Sequence, residues 1–280
     1  MTDQPVVNGQ HHSQAFLMAL IAAFAIHIVT LNPEVNLGLF HTINQSHLWV
    51  PEVVIAMLND LGNGVTLGAV ALCYLVKYPQ RTGQVLLAAV LSLIIVPTLK
   101  QYFDAQRPAA VLQQLTIIGQ AHYSNSFPSG HTATIFLFAG LYYIHKPHRL
   151  LRITALSLAF VVGASRIAAG AHWPEDVALG AVVGLICAFA AVNLCGSWSL
   201  SKSKQLVCYL LILTVLVTVE LGSGHDFADF PPVQWMRWSL IVYSGMMVSH
   251  FIWVAFDCKA KVKLRFGQKA REFGRSGIIK

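Results

Sequence analysis

The sequence predicts an all-α polytopic membrane bundle, with a six-helix core followed by two C-terminal transmembrane helices. Three observations carry that expectation. Apolar residues make up 55% of the chain and charged residues only 11%, against roughly 45–50% and 25% in an ordinary soluble domain. The apolar residues fall in runs close to the ~20 residues that a spanning helix needs. The polar stretches between the runs are alternately rich and poor in Lys and Arg, as loops on opposite sides of a membrane are. A helix suits such runs because it satisfies its own backbone hydrogen bonds where water is absent.

The first run covers residues 15–31, and a loop holding Glu34 and no Lys or Arg follows over 32–51. The second run covers 52–76. Its Asn59, Asp60, Gly62, Asn63 and Gly64 predict an irregular start, where Asp60 is either a functional acid, as an acid in an apolar run is by default, or a residue facing water. After the basic loop 77–81 the third run covers 82–99, with Pro97 near its end. The longest polar stretch, 100–130, leads into a short fourth run over 131–144. A second basic loop over 146–152 precedes the fifth run, 153–169. The sixth run, 174–194, opens on Pro174, a residue favoured at the first helical position because its missing N–H would be unpaired there anyway. Lys202 and Lys204 mark the next loop, and the seventh run covers 205–221. A loop with Asp226, Asp229, Pro231 and Pro232 leads to the eighth run, 238–256. The expected division is 1–195 for a six-span core, 196–257 for two additional spans and 258–280 for a basic cytoplasmic tail.

The loops after the second, fourth and sixth runs are basic, as is the tail. The loops on the other side hold only Lys100, Arg107, Arg166 and Arg237. This pattern predicts eight spans with both termini in the cytoplasm. The formal charge of +7 follows from the tail and the inner loops, so it is no sign of nucleic-acid binding. Cys73, Cys187, Cys195, Cys208 and Cys258 form no disulfide or zinc pattern. The first run lacks a basic start and a small-residue cleavage site, and is expected to stay as an anchor. A compact chain without a eukaryotic targeting tail suggests the plasma membrane of a bacterium.

Three polar stretches lie on the outer side in this topology. The first holds Lys100, Arg107 and Pro108. The second is Pro128-Ser129-Gly130-His131. The third holds Ser165, Arg166, His172 and Asp176. Residues far apart in the chain thus converge on one membrane face. Their chemistry fits phosphoryl transfer, which needs cations around the phosphate oxygens, a nucleophile in line and an acid for the leaving oxygen. Lys100, Arg107 and Arg166 supply the cations, and an arginine fork binds phosphate through two hydrogen bonds. Ser129 and Gly130 precede the fourth helix, whose free N–H groups attract anions. His131 and His172 divide the attack and the protonation between them. Asp176, four residues after His172, can fix its tautomer. His225, Asp226 and Asp229 lack the further ligands a metal site requires.

In order, Lys100-x6-Arg107-Pro108, Pro128-Ser129-Gly130-His131 and Ser165-Arg166-x5-His172-x3-Asp176 resemble the three-part signature of the type 2 phosphatidic-acid phosphatase superfamily. The resemblance implies a metal-independent membrane lipid phosphatase with no cofactor. It makes His172 the nucleophile that forms a phosphohistidine, Asp176 its partner and His131 the proton donor. Lys100, Arg107, Ser129, Gly130 and Arg166 become phosphate ligands. The substrate class is a lipid phosphate or pyrophosphate reached from the bilayer at the outer, periplasmic face. Undecaprenyl pyrophosphate is favoured by how often the family acts on it, beside phosphatidylglycerophosphate, phosphatidic acid and the lipid A 1-phosphate. The alternatives are a phosphotransferase that passes the group to an acceptor lipid, an anionic-lipid transporter and a vanadate-dependent haloperoxidase. The transporter reading lacks the inverted repeats many transporters show, and eight apolar runs argue against a soluble haloperoxidase.

Overall fold

The computed structural model describes residues 7–145, 148–197, 200–222 and 226–256. The tail 258–280 with Cys258, the extreme N-terminus, Trp198 and His225 lie outside the described residues. Those residues form α1 (Val7–Thr30), α2 (Pro33–Asn44), α3 (Glu52–Asp60), α4 (Gly64–Lys77), α5 (Thr82–Phe103), α6 (Pro108–Val111), α7 (Gly130–His145), α8 (Arg149–Ala168), α9 (Pro174–Leu194), α10 (Lys202–Gly222) and α11 (Pro231–Phe256). Two short 3₁₀ turns complete the regular structure, and no strand occurs among the described residues. Five helices are individually long and apolar enough to cross a membrane. The count reaches seven if each bent pair is one span. At 16 residues, α7 falls below that length, and α1, α4, α5, α8 and α9 surround it. Large apolar side chains such as Leu93, Phe160, Leu211 and Trp253 point outward. In water that would be an aggregation hazard, whereas in lipid it is the ground state.

The structure departs from the expected loop at 32–51 and from the expected place of Arg237. The stretch 32–51 is largely helical. The Oδ1 of Asn32 accepts from Glu34 N at 3.0 Å and Val35 N at 3.2 Å, Pro33 takes the first helical position and Glu34 sits in the first turn. These are ordinary helix-start signals, and they turn the chain by 104° from α1. The last helix starts at Pro231, so Arg237 lies inside α11, buried, rather than in an outer loop.

The irregular second run is present as expected. The helices α3 and α4 meet at a 55° bend, and the Asn63 side chain caps α4 by accepting from Val65 N at 2.8 Å. Asp60, at the end of α3, is fully buried and does not face water. The helix α5 continues past residue 99 to Phe103, which puts Lys100 on its last turn.

The core is built on α9 and α7. A Cβ on Gly180 would lie 2.6 Å from the Ser129 carbonyl oxygen. One on Gly184 would lie 2.8 Å from Leu137 N and closer still to the Ala133 carbonyl oxygen. Only glycines four residues apart let the two backbones come so near, the small-residue packing that helices use in lipid. The same approach sets the start of α7 beside the start of α9. The C-terminal pair α10 and α11 packs on α4, and α11 also touches α3.

Candidate active site

The turn from α8 to α9 carries the centre of the site. Gly170 adopts φ +71°, and a side chain there would collide with the Thr116 carbonyl oxygen. The chain can therefore reverse tightly between Arg166 and His172 while residues 115–118 lie across it. The Ile118 N–H pairs with the Ala169 carbonyl at 3.1 Å and fixes that crossing. Pro174 then starts α9, which brings Asp176 into its first turn.

His172 Nδ1 lies 3.1 Å from Asp176 Oδ2, and both residues are buried. The same carboxylate oxygen accepts from Trp173 N at 2.8 Å and from the Ser126 hydroxyl at 2.5 Å. Three donors on one oxygen hold the carboxylate still. It orients the imidazole with Nδ1–H toward itself and leaves the Nε2 lone pair as the reactive one. Burial first, then the charges of Arg166, Arg107, Lys100 and His131, hold His172 well below the usual imidazole range. The ring is therefore neutral, and able to attack, at neutral pH.

The three cations reach the site from three elements. From the end of α5, Lys100 Nζ donates to the Asn125 carbonyl and, at 3.3 Å, to the Ser126 carbonyl. Asn125 presents its carbonyl from a left-handed conformation, φ +54°. Arg107 donates from Nε to the Ser124 carbonyl at 3.0 Å and from Nη1 to the Ala171 carbonyl at 3.1 Å. These two residues thus tie the 124–126 loop to the α8–α9 turn. Arg166, buried on the last turn of α8, donates from Nη1 to Asn59 Oδ1, while its Nε has no partner among the described residues.

His131 occupies the first turn of α7. It is half-buried, and its Nε2 is enclosed with no partner among the described residues. Gly62, at the α3–α4 break, packs directly against it, since a Cβ there would lie 3.0 Å from His131 Cβ. Beside His131 is a cavity of about 150 Å³ between the α3–α4 break, α5 and α7. Ser92, Leu93, Val96, Pro97 and Thr134 are among the residues that line it. Ser129 accepts from Thr132 N at 3.4 Å and from the Thr132 hydroxyl at 3.0 Å, so its side chain serves the helix start. A Cβ on Gly130 would meet only Val96, at an ordinary 3.7 Å. Crowding by the protein does not demand a glycine at that position.

All eight expected residues therefore converge on one end of the bundle. Two further members were not singled out in the sequence. Ser126 holds Asp176, and its signal was weak: one serine in a serine-rich stretch two residues before Pro128. Asn59 holds Arg166 from a different helix, and only its placement in an apolar run marked it. Among the described residues no group of three or more His, Cys, Asp or Glu is arranged to hold a metal ion.

Comparisons with known proteins point the same way. A family model described as the PAP2 superfamily matches residues 81–198. The undecaprenyl-diphosphatase of Sulfolobus acidocaldarius is 25% identical over 197 residues, spanning 68% of this chain and 95% of that protein. YbjG of Escherichia coli K12 is 32% identical over 164 residues, 56% of this chain and 81% of the relative. The crystal structure of Aquifex aeolicus LpxE aligns with a TM-score of 0.52 and 31% identity, covering 56% of this chain and 94% of that one. The matched segment holds all eight converging residues, from Lys100 to Asp176, and this chain belongs to the PAP2 superfamily.

Proposed function

We propose that this protein is a multi-pass membrane lipid phosphatase that works through a phosphohistidine on His172 without a metal ion. The observation that carries the reading is the pairing of a neutral, Asp176-oriented His172 with an unpartnered donor at Arg166 Nε and an unpartnered nitrogen at His131 Nε2. A buried donor without a partner is costly, and phosphate oxygens supply acceptors for such groups. The ring around His172 consists of cations, which draw phosphate oxygens directly and repel a metal cation.

In the first half-reaction His172 Nε2 attacks phosphorus and the bond to the leaving oxygen breaks. His131, as the imidazolium, transfers a proton to that oxygen. With a pyrophosphate the leaving group is the lipid monophosphate, and with a monoester it is the lipid alcohol. Water then attacks the phosphohistidine, His131 takes the proton back, and inorganic phosphate leaves with His172 free again. In-line transfer puts the leaving group on the side opposite His172. The mostly apolar cavity that His131 lines, with Leu93, Val96 and Pro97, supports a lipid leaving group on that side. The name of the Sulfolobus acidocaldarius relative favours undecaprenyl pyrophosphate as substrate. The loop-charge pattern favours a site at the outer face of a bacterial inner membrane, with both termini inside.

The test is phosphate release by detergent-purified protein in EDTA. Substrates are undecaprenyl pyrophosphate, phosphatidylglycerophosphate, phosphatidic acid and lipid A, each with and without an acceptor lipid. Release from at least one in EDTA, lost in His172→Ala, is expected. Absence of release from every lipid phosphate overturns the hydrolase reading, and release only with an acceptor reassigns the chain as a phosphotransferase.

A further inference from the structure

The C-terminal pair α10–α11 carries none of the residues that the reaction above uses, yet it reaches the site by one continuous set of contacts. Arg237 on α11 donates from Nε to Asp60 Oδ1 at 2.9 Å, and its Nη2 donates to the same oxygen. Its Nη1 reaches Glu220 Oε2 of α10 at 3.3 Å. Asp60 Oδ2 accepts from the Thr66 hydroxyl at 2.6 Å. The carboxylate is thus held on both oxygens at the end of α3. The preceding residue, Asn59, is fully buried. It accepts from Arg166 Nη1 and donates through Nδ2 to the Ser165 carbonyl at 3.4 Å. Two residues beyond Asp60, Gly62 packs on His131. One short break between α3 and α4 therefore touches a phosphate-binding arginine on one side and the proton donor on the other.

Charge supports the same connection. Asp60, Glu220 and Arg237 together carry one net negative charge, all buried. In a low-dielectric interior that charge favours the nearby guanidinium of Arg166 and lowers the cost of holding it ready. An ion cluster serving only to attach two helices could sit anywhere along them. This one sits at the residue next to Asn59.

We propose that Arg237 and Glu220 are positioning residues for the phosphate site: they fix Asp60, and through it Asn59, which holds Arg166 in its phosphate-binding orientation. The proposal rests on the reading of Arg166 as a phosphate ligand. It assigns the two extra helices a part in the reaction centre.

The experiment uses the full chain in detergent and reads the binding of inorganic phosphate by calorimetry, so it needs no turnover. Native protein is compared with Arg237→Gln, Asn59→Ala and the double variant. Because Arg237→Gln removes the cation beside two buried carboxylates, Asp60→Asn/Glu220→Gln/Arg237→Met is made as well and removes the charge of all three residues. The expected result is a loss of phosphate affinity of about 10-fold or more, the scale seen when outer partners of an ion's ligands are removed. The double variant is expected to bind no more weakly than Asn59→Ala alone, since both act through one arginine. Native-like binding by either recovered variant overturns the proposal, as do effects that simply add. If neither Arg237 variant can be recovered folded, the cluster is a folding element and the positioning role is rejected. If native protein binds no phosphate, the role falls together with its premise. Reduced binding in the variants with no lipid phosphate hydrolysed by native protein leaves the positioning role standing and removes the phosphatase reading.

Discussion

His172 does its work only if three things hold together: a neutral ring, the correct tautomer and a fixed direction. Burial and four neighbouring cationic or titratable groups secure the first, and Asp176 secures the other two. The account makes a pH prediction with a definite sign. The folded state holds the His172 proton less tightly than the unfolded chain, whose imidazole titrates near 6.5. Stability from this group is therefore complete above pH 6.5 and declines as pH falls below it, toward the depressed native value. Thermal unfolding in detergent from pH 7.5 to 5 should show a decline that is smaller in His172→Ala. A decline of the same size in that variant would assign it to other groups. Ser126 gives a second prediction. Its hydroxyl donates to a carboxylate, an interaction worth about 1.5–3 kcal/mol. Ser126→Ala should lower kcat about 10–100-fold with a smaller change in KM, and steady-state kinetics would check this. The candidate site was legible in the sequence, because charged residues in so apolar a chain stand out and their spacing carries a family resemblance. The residues that hold them were not. Ser126 and Asn59 act through contacts 50 and 107 positions away, and neither has local periodicity or charge to mark it.

At the scale of the element, α9 sets the geometry for everything around it. Gly180 and Gly184 let α7 lie against it, and that approach brings the Ser129 N–H to the Asp176 carbonyl at 2.9 Å. Gly184→Leu should force the helices apart and cost about 1–3 kcal/mol, as overpacking does. The change should appear as a lower melting temperature and a reduced yield of folded protein in detergent. The cavity beside His131 belongs to this scale too. Ser92→Phe should fill it, and turnover of a long-chain lipid phosphate should fall several-fold more than that of a short water-soluble phosphate ester. Equal effects on the two would place the lipid chain elsewhere. Helix boundaries were mostly legible to within a few residues, and the break after Asp60 was foreseen from its glycines and asparagines. The helix α2 was missed because its polar composition outweighed its capping signals. Composition reports exposure, and an exposed helix on a membrane protein looks like a loop.

For the molecule as a whole, an all-α membrane architecture was readable from composition, run length and loop charge. What was not readable was the connection between the C-terminal pair and the core. Arg237 looked like one more loop cation because the last helix's start carries no strongly apolar run, and Asp60 looked like a wet residue because glycines and asparagines surround it. Paired across 177 positions, they explain each other. A sequence lists charges singly, and only the fold shows which ones neutralise one another inside the membrane. The same fold gathers three cations and two histidines at one end of the bundle, beside a mostly apolar cavity. The chemistry assigned to that assembly depends on one covalent intermediate. The measurement that tests it most directly is rapid acid-free quenching of the purified protein with substrate labelled in the transferred phosphate. The account predicts early label on the protein, stable to alkali and labile to acid, mapping to His172 and lost in His172→Ala. Label on another residue, or label that persists when His172 is replaced, would contradict it.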